Sequence, residues 1–458
     1  MIPYSHFNNN KIGIFGLGKT GINTIKALLR TSAQLFIWDD DVQKVLQTKK
    51  IFSNSQIFVF QTIDLASIRI LNFVVVSPGI PNKYPAPHKI FSICKQLKIP
   101  TLTDIELLFQ ICSKANFIGV TGTNGKSTTV SLIKVILESN YQISALGGNI
   151  GIPALSLPIF NCSNQHYILE LSSYQLDIMR YYKFNIAVLL SITPDHLDRY
   201  YSFTDYRNQK IKIFYHQNKG DLAVISLNQR VNQDIYKQLI KKNKQTIVPI
   251  SSTKIIKNGI SILEGTLYDN YFEHQAFSIP FSYHLIGMHN NENIAVSYVV
   301  AKKLNLSSKK IISALNLYKG LTHRMELFFQ TGSLSFINDS KASNTASTKM
   351  ALHCYKNIHW IVGGIFKEKN THLLNQALDN VEHCYLIGRD YKKFLDLLNY
   401  NKISYSINIT IKSALIEIKN KVKYGTILLS PCCASLDQWK NFEERGVAYK
   451  NLVFKIFS

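Results

Sequence analysis

The chain has 458 residues, 46% of them hydrophobic and 18% charged, with a formal net charge of +23. That length and apolar share predict a soluble globular protein of about three domains at the usual ~150 residues each. No basic-then-apolar leader and no uncharged apolar run long enough to span a bilayer is found, which argues against secretion and membrane insertion and makes the cytoplasm the expected compartment.

Near the N-terminus, "KIGIFGLGKTG" predicts a strand from Ile12 to Phe15, a turn over Gly16 to Gly21 and a helix in "INTIKALL". A second strand in "AQLFIWDDD" ends at Asp39 and Asp40. An acidic strand end about twenty residues after the glycines completes a βαβ pattern of the dinucleotide-binding kind. In such a pattern the glycines let the backbone approach a diphosphate, and the helix N-terminus offers it free N–H groups. A purely structural strand-to-helix turn stays open as the alternative. The third strand, in "LNFVVVSPGIP", runs into Ser77-Pro78-Gly79, at the edge where parallel sheets of this type hold ligands. A helix capped near Thr103 follows in "TLTDIELLFQICSKA".

The next unit, "IGVTGTNGKSTTVSLI" (118 to 133), again reads strand, loop, helix. It fails the Walker A spacing, because Val120 stands where that motif has its first glycine. The tighter loop still fits a phosphate group. Gly122 and Gly125 free the backbone to turn N–H groups of Thr123, Asn124 and their neighbours onto phosphate oxygens, and Lys126 adds a mobile point charge. Ser127 or Thr128 can reach a Mg²⁺ ion shared with the phosphates.

Further strands are expected in "SLSFINDS", "NIHWIVGGI", "HCYLIG" and "YGTILLSP", as a parallel sheet closing the chain. The seven cysteines have no CxxC or metal-type spacing and predict reduced thiols, with Cys432-Cys433 serving packing. The charge would suit a nucleic-acid binder, but clusters such as "IKKNKQ" (240 to 245) and "SSKK" (307 to 310) lie in no such motif. They read as solvated surface that also attracts phosphorylated small substrates, and no nucleic-acid partner is expected.

The compact loop resembles that of the ATP-dependent Mur ligases and folylpolyglutamate synthetases. The resemblance extends over essentially the whole chain through "LGGNIG" (146 to 151), "LELSSYQLD" (169 to 177), "TPDHLDRY" (193 to 200), "GMHNNEN" (287 to 293), "LTHRME" (321 to 326), "NDSKASN" (338 to 344) and "LLSPCCASLDQWKNFEERG" (428 to 446). Within the Mur ligases, "SPGI" and "SPCCASLDQWKNF" resemble the D-glutamate-adding branch, whereas the DNPR-type segment of the diamino-acid-adding branch is absent.

The implied fold is α/β in three domains: an N-terminal Rossmann-like domain (1–104) for the UDP substrate, a central P-loop ATPase-type domain (105–320) and a C-terminal Rossmann-like domain (321–458) for the amino acid. The implied activity is amide formation between UDP-N-acetylmuramoyl-L-alanine and D-glutamate through an acyl phosphate, by a monomer using ATP and Mg²⁺. Gly122, Thr123, Asn124, Gly125, Lys126, Ser127, Thr128, Asn293, Arg324 and Asp339 match ATP positions. Glu170 and His196 match metal ligands beside Ser127. Lys341 matches a cation at the transferred phosphoryl group, and Lys210 matches a lysine that carbamylation turns into an anionic metal ligand. Read without the resemblance, Lys210 is one more solvated lysine.

Gly18, Lys19, Thr20, Asp39, Ser77, Gly79 and Asn149 match the UDP-substrate site, so the first glycine turn resembles a UDP site and not a nicotinamide site. Ser343, Lys367, Ser435 and Phe442 match the D-glutamate pocket. Here Ile365 stands where the family commonly has Asp, and Ser343 where it has Thr. Two rivals remain at this stage. A nicotinamide dehydrogenase built on Gly16 to Gly21 leaves the second phosphate loop without a use, and a non-catalytic ATP-gated binder leaves Glu170, His196 and Lys341 without one.

Overall fold

The computed structural model describes residues 5–195, 199–280, 282, 285–368 and 370–458, without the side chain of Met288. Contacts divide the described residues into two compact units, one from the segments 1–280 and 291–316, the other from 281–290 and 317–458. Among the described residues no helix is long and apolar enough to cross a membrane.

The first unit holds two sheets. One is five-stranded and parallel, in the order Ile57–Val59, Gln34–Trp38, Lys11–Phe15, Phe73–Val76, Thr101–Leu102. The other is nine-stranded, with Asn116–Thr121 between Ile186–Leu189 and Gln165–Glu170, and Ile143–Gly148 at one edge. Its pairings are parallel from that edge as far as Ile260–Leu263, and the hairpin strands Thr266–Asp269 and Gln275–Ser278 extend it antiparallel. Phe73–Val76 and Ile186–Leu189 are buried at every position, as expected of strands covered on both faces.

The carboxyl ends of Lys11–Phe15, Phe73–Val76, Asn116–Thr121 and Gln165–Glu170, with the loops and first helical turns that follow them, carry most of the candidate residues of this unit. The helix Asp104–Ile111 begins as expected, with Thr103 and Glu106 exchanging the reciprocal bonds of a capping box. One continuous apolar cluster runs from Ile12, Leu35 and Ile37 through Leu102, Ile105 and Leu155 to Tyr167, Leu169 and Leu189. The two sheets thus share a core, which is why contacts group them although each has its own strand order.

The second unit has a six-stranded sheet, in the order Glu326–Thr331, Ser333–Asn338, Tyr424–Leu429, Ile358–Gly363, Val381–Ile387, Tyr405–Ile409. The four strands read from the sequence are its parallel centre. Both edge strands escaped that reading. Glu326–Thr331 folds back antiparallel onto its neighbour through Gly332 at φ +54°, and Tyr405–Ile409 is half-buried with exposed Ile407 and Ile409. Neither edge shows the buried apolar run that marks a central strand. All seven cysteines are free thiols, and Cys432 and Cys433 are buried in the core.

Candidate active site

The strand Asn116–Thr121 delivers the glycine loop to the start of the helix Lys126–Glu138. The loop is stitched to the adjoining segment. Thr123 N–H donates to Ser191 O (3.0 Å), and the Thr123 hydroxyl donates to Thr193 O and accepts from Thr193 N–H, both at 3.0 Å. Gly125 sits at φ +83°, a conformation costly to other residues, and a Cβ there would lie 2.6 Å from Asn293 Oδ1. That oxygen accepts from the Thr129 hydroxyl at 2.9 Å. The buried Glu292 beside it accepts from Ser191 N–H (2.9 Å) and Oγ (2.8 Å), and burial raises its pKa.

Two lysines converge on one loop carbonyl. Lys126 Nζ donates to Gly122 O at 3.0 Å and to Thr123 O at 2.7 Å, and Lys210 Nζ donates to the same Gly122 O at 2.8 Å. Lys210, on the helix Phe203–Ile211, is only 2% exposed and lies 4.7 Å from the centre of the Tyr206 ring. This removes the reading of Lys210 as a solvated lysine. Burial, then the Lys126 charge, hold its pKa well below the ordinary lysine value, against the pull of Asp195 and Glu170.

Glu170, 3% exposed at the end of its strand, joins the loop to the segment after Ile143–Gly148. One carboxylate oxygen accepts from Ser127 Oγ at 2.6 Å and the other from Asn149 Nδ2 at 2.9 Å. Among the described residues there is no group of three or more His, Cys, Asp and Glu placed to hold a metal. His196, expected as a metal ligand, lies outside the described residues. A hydroxyl and a carboxylate in direct contact do supply the oxygen donors that Mg²⁺ prefers, so the residues present fit that ion.

Gly18, Lys19, Thr20, Asp39, Ser77, Gly79 and Asn149 all line a single cleft of 580 Å³. Its floor is the glycine turn. Gly16 has φ +88°, a Cβ on Gly21 would lie 2.0 Å from Gly16 O, and Ser77 Oγ donates to that oxygen at 2.8 Å. Asp39 braces the turn: Oδ2 accepts from Leu17 N–H at 2.7 Å and Oδ1 from Asp41 N–H at 2.9 Å, with Lys44 at 3.8 Å. Lys44 and Tyr174, unmarked in the sequence reading, also line the cleft.

In the second unit, Arg324, Asp339 and Lys341 line a tight pocket of 30 Å³. Asp339 accepts from Ser430 Oγ at 2.8 Å and Met325 N–H at 3.2 Å. Burial pushes its pKa up to about 7, against the Ser430 hydrogen bond and the Arg324 charge. Lys341 Nζ stands 5.8 Å from the centre of the Phe442 ring. Ser435 is buried, Phe442 half-buried, and Ser343 and Lys367 are exposed. Ile365 pairs by its backbone with Ala434, next to Ser435, through two 2.9 Å bonds.

The fully buried Arg445 binds the loops together. Its Nε donates to Ser340 Oγ (3.0 Å) and its Nη2 to Ser340 O (2.8 Å) and Cys433 O (3.1 Å). Neither Arg445 nor Glu292 was singled out from the sequence. Both lie in segments that carry the resemblance, "GMHNNEN" and "LLSPCCASLDQWKNFEERG".

Residues 120–301 match the Mur ligase middle domain family. The UDP-N-acetylmuramoylalanine–D-glutamate ligase of Rickettsia prowazekii (strain Madrid E) is 39% identical, over 97% of this chain and 98% of its own. The enzyme of that name from Phenylobacterium zucineum (strain HLK1) is 33% identical over 100% and 98%. The fold resembles the MurF ligase of Thermotoga maritima, solved with ADP, at a TM-score of 0.62 and 16% identity over 98% of this chain and 96% of that one. It also resembles the UDP-N-acetylmuramate–alanine ligase of that organism, at a TM-score of 0.60 and 14% identity over 97% and 99%. With relatives at such identity over nearly its full length, the chain belongs to the Mur ligase family.

Proposed function

We propose that the chain is an ATP-dependent ligase that joins D-glutamate to UDP-N-acetylmuramoyl-L-alanine in peptidoglycan precursor synthesis. The observation that carries this reading is the convergence of Lys126 and Lys210 on Gly122 O, beside the Ser127–Glu170 pair. Lys126, at the mouth of a glycine loop, answers to the anionic oxygens of a triphosphate, and the Ser127–Glu170 pair supplies oxygen donors beside it.

A carboxylate is a poor electrophile, since attack loads further negative charge onto it. Transfer of the γ-phosphoryl group from ATP to the acceptor carboxylate releases ADP and gives an acyl phosphate. The amine of D-glutamate then forms the new C–N bond, the C–O bond to phosphate breaks, and the nitrogen sheds a proton. In this reading the backbone from Gly122 to Thr128 cradles the phosphates, and Asn293, Arg324 and Asp339 serve the nucleotide. Lys126 and Lys341 offset charge on the group in transfer. Ser127, Glu170 and His196 would hold Mg²⁺, which when bound neutralises phosphate charge.

Lys210 is held towards its neutral amine, the form that reacts with CO₂ to give a carbamate, which would replace an ammonium by an anionic oxygen donor. The cleft of the first unit would take the uridine nucleotide on Gly18, Lys19, Thr20, Asp39, Ser77 and Gly79, with Asn149 towards the sugar and peptide. Ser343, Lys367, Ser435 and Phe442 would bind D-glutamate. We assign the three functions to segments 1–104, 105–320 and 321–458, and the enzyme to the cytoplasm as a monomer.

The test is phosphate release from ATP. It should require UDP-N-acetylmuramoyl-L-alanine and D-glutamate together, with L-glutamate ineffective. Release without the amino acid, or nicotinamide reduction without ATP, would overturn the reading.

A further inference from the structure

Arg199 touches two walls of the first unit's cleft from a third element. Its Nη2 donates to Gly79 O at 3.1 Å, and its guanidinium carbon lies 4.9 Å from the centre of the Tyr174 ring. Gly79 belongs to the turn after the strand Phe73–Val76, Tyr174 to the helix Ser173–Ile178, and both line the 580 Å³ cleft. Arg199 itself lies between the strand Ile186–Leu189 and the helix that carries Lys210.

The loop holding Gly79 is gripped again further along. Asn82 Nδ2 and Lys83 Nζ lie 3.4 and 3.6 Å from the Asp177 carboxylate, and the Tyr84 ring meets Tyr201 edge-on at 5.0 Å. One side of this loop therefore faces the cleft while the other is clasped from the nine-stranded sheet. A guanidinium suits the clasp, since its planar fork donates to the carbonyl while its face lies on the tyrosine. A lysine supplies only the point charge.

We propose that Arg199 is a positioning residue for the UDP-linked acceptor: it fixes the Ser77–Gly79 turn against Tyr174 and so sets the width of the cleft. The inference rests on the ligase reading above. Because both partners belong to the cleft wall and neither to the phosphate loop, the effect falls on the acceptor and not on ATP.

The experiment compares wild type, Arg199→Ala, Arg199→Lys and Lys83→Ala as full-length enzymes, with steady-state kinetics in each substrate and UDP titration calorimetry without ATP. Arg199→Ala should raise the acceptor KM about tenfold, the scale of one lost charge-assisted hydrogen bond, and weaken UDP binding in parallel. KM for ATP and for D-glutamate should stay within about twofold, and Arg199→Lys should recover part of the loss. Lys83→Ala removes a half-exposed lysine from Asp177, whose carboxylate keeps Lys212 at 3.5 Å, and should change the acceptor KM less. An unchanged acceptor KM in Arg199→Ala, or equal rises for acceptor and ATP, would overturn the proposal. If Arg199→Ala fails to fold, Arg199→Lys decides: a wild-type acceptor KM there overturns it and a selective rise supports it. Failure of the ligase reading is distinguishable, because wild type itself would then lack D-glutamate-dependent phosphate release.

Discussion

The glycine loop proposed for phosphate and the four positions proposed for D-glutamate are built in opposite ways. The loop is one contiguous stretch whose atoms are pinned by Ser191, Thr193, Tyr206 and Glu170. Ser343, Lys367 and the Ser435–Phe442 pair come from three segments, and two of the four, Ser343 and Lys367, stand exposed. A pinned loop is preorganised before substrate arrives, and removing one of its charges therefore costs turnover. Exposed side chains are ordered by the ligand, so their loss falls on affinity for it while stability hardly changes.

The largest effects test the loop side of this contrast. Lys126→Ala should lower kcat by ~10² to 10³ while UDP binding, read by calorimetry, stays as in wild type. Near-normal turnover would show that the pinned loop is not where phosphate reacts. Lys210→Ala should lose activity on a similar scale of ~10² to 10³ and regain part of it with added acetate, a carboxylate small enough for the vacated space. Full activity without acetate would exclude an essential carbamate.

Lys367→Ala sharpens the other side. It should raise KM for D-glutamate about tenfold, as expected for one charge-assisted contact, and leave the thermal midpoint unchanged. A large loss of stability would mean that Lys367 is structural and would break the contrast.

The smallest effect concerns Asp339. The folded second unit keeps its proton up to about pH 7, whereas the unfolded chain releases it near the ordinary carboxylate value of about 4. The folded state thus binds more protons between those values, and this contribution to stability is full below about pH 4 and lost as the pH rises through about 7. Asp339→Asn should flatten that part of the thermal-midpoint profile between pH 4 and 8. An unchanged difference between the two proteins across that range would refute the assignment.

What was legible in the sequence was mostly local. The strand–loop–helix at 116–138 and the helix cap at Thr103 depend on near neighbours in the chain, and the structure has both, whereas the glycine turn expected over 16–21 is shorter because the helix already begins at Lys19. The seven residues matched to the UDP substrate share one cleft, although residue patterns alone left that turn open between a dinucleotide site and a purely structural role. Glu292, Arg445 and Arg199 stayed hidden because their partners lie far away in sequence, as with Arg445 and Ser340, 105 positions apart. Lys210 was obscured differently: in a chain with 52 Lys and Arg residues, composition makes solvent the default for any lysine, and only packing shows which one is turned inward.

The contact between Gly125 and Asn293 has a consequence for how this loop can vary. Any side chain at 125 meets the Asn293 oxygen at 2.6 Å, and shortening Asn293 to make room gives up its bond to Thr129 while leaving the positive φ at 125 unchanged. Relief at one position therefore brings a loss at the other, and substitutions at the two sites are non-additive. A library randomised at 125 alone would return little but glycine. Variation at 293 would be filtered by the residue at 125, and the permitted pairs form a narrow ridge in sequence space rather than two independent choices.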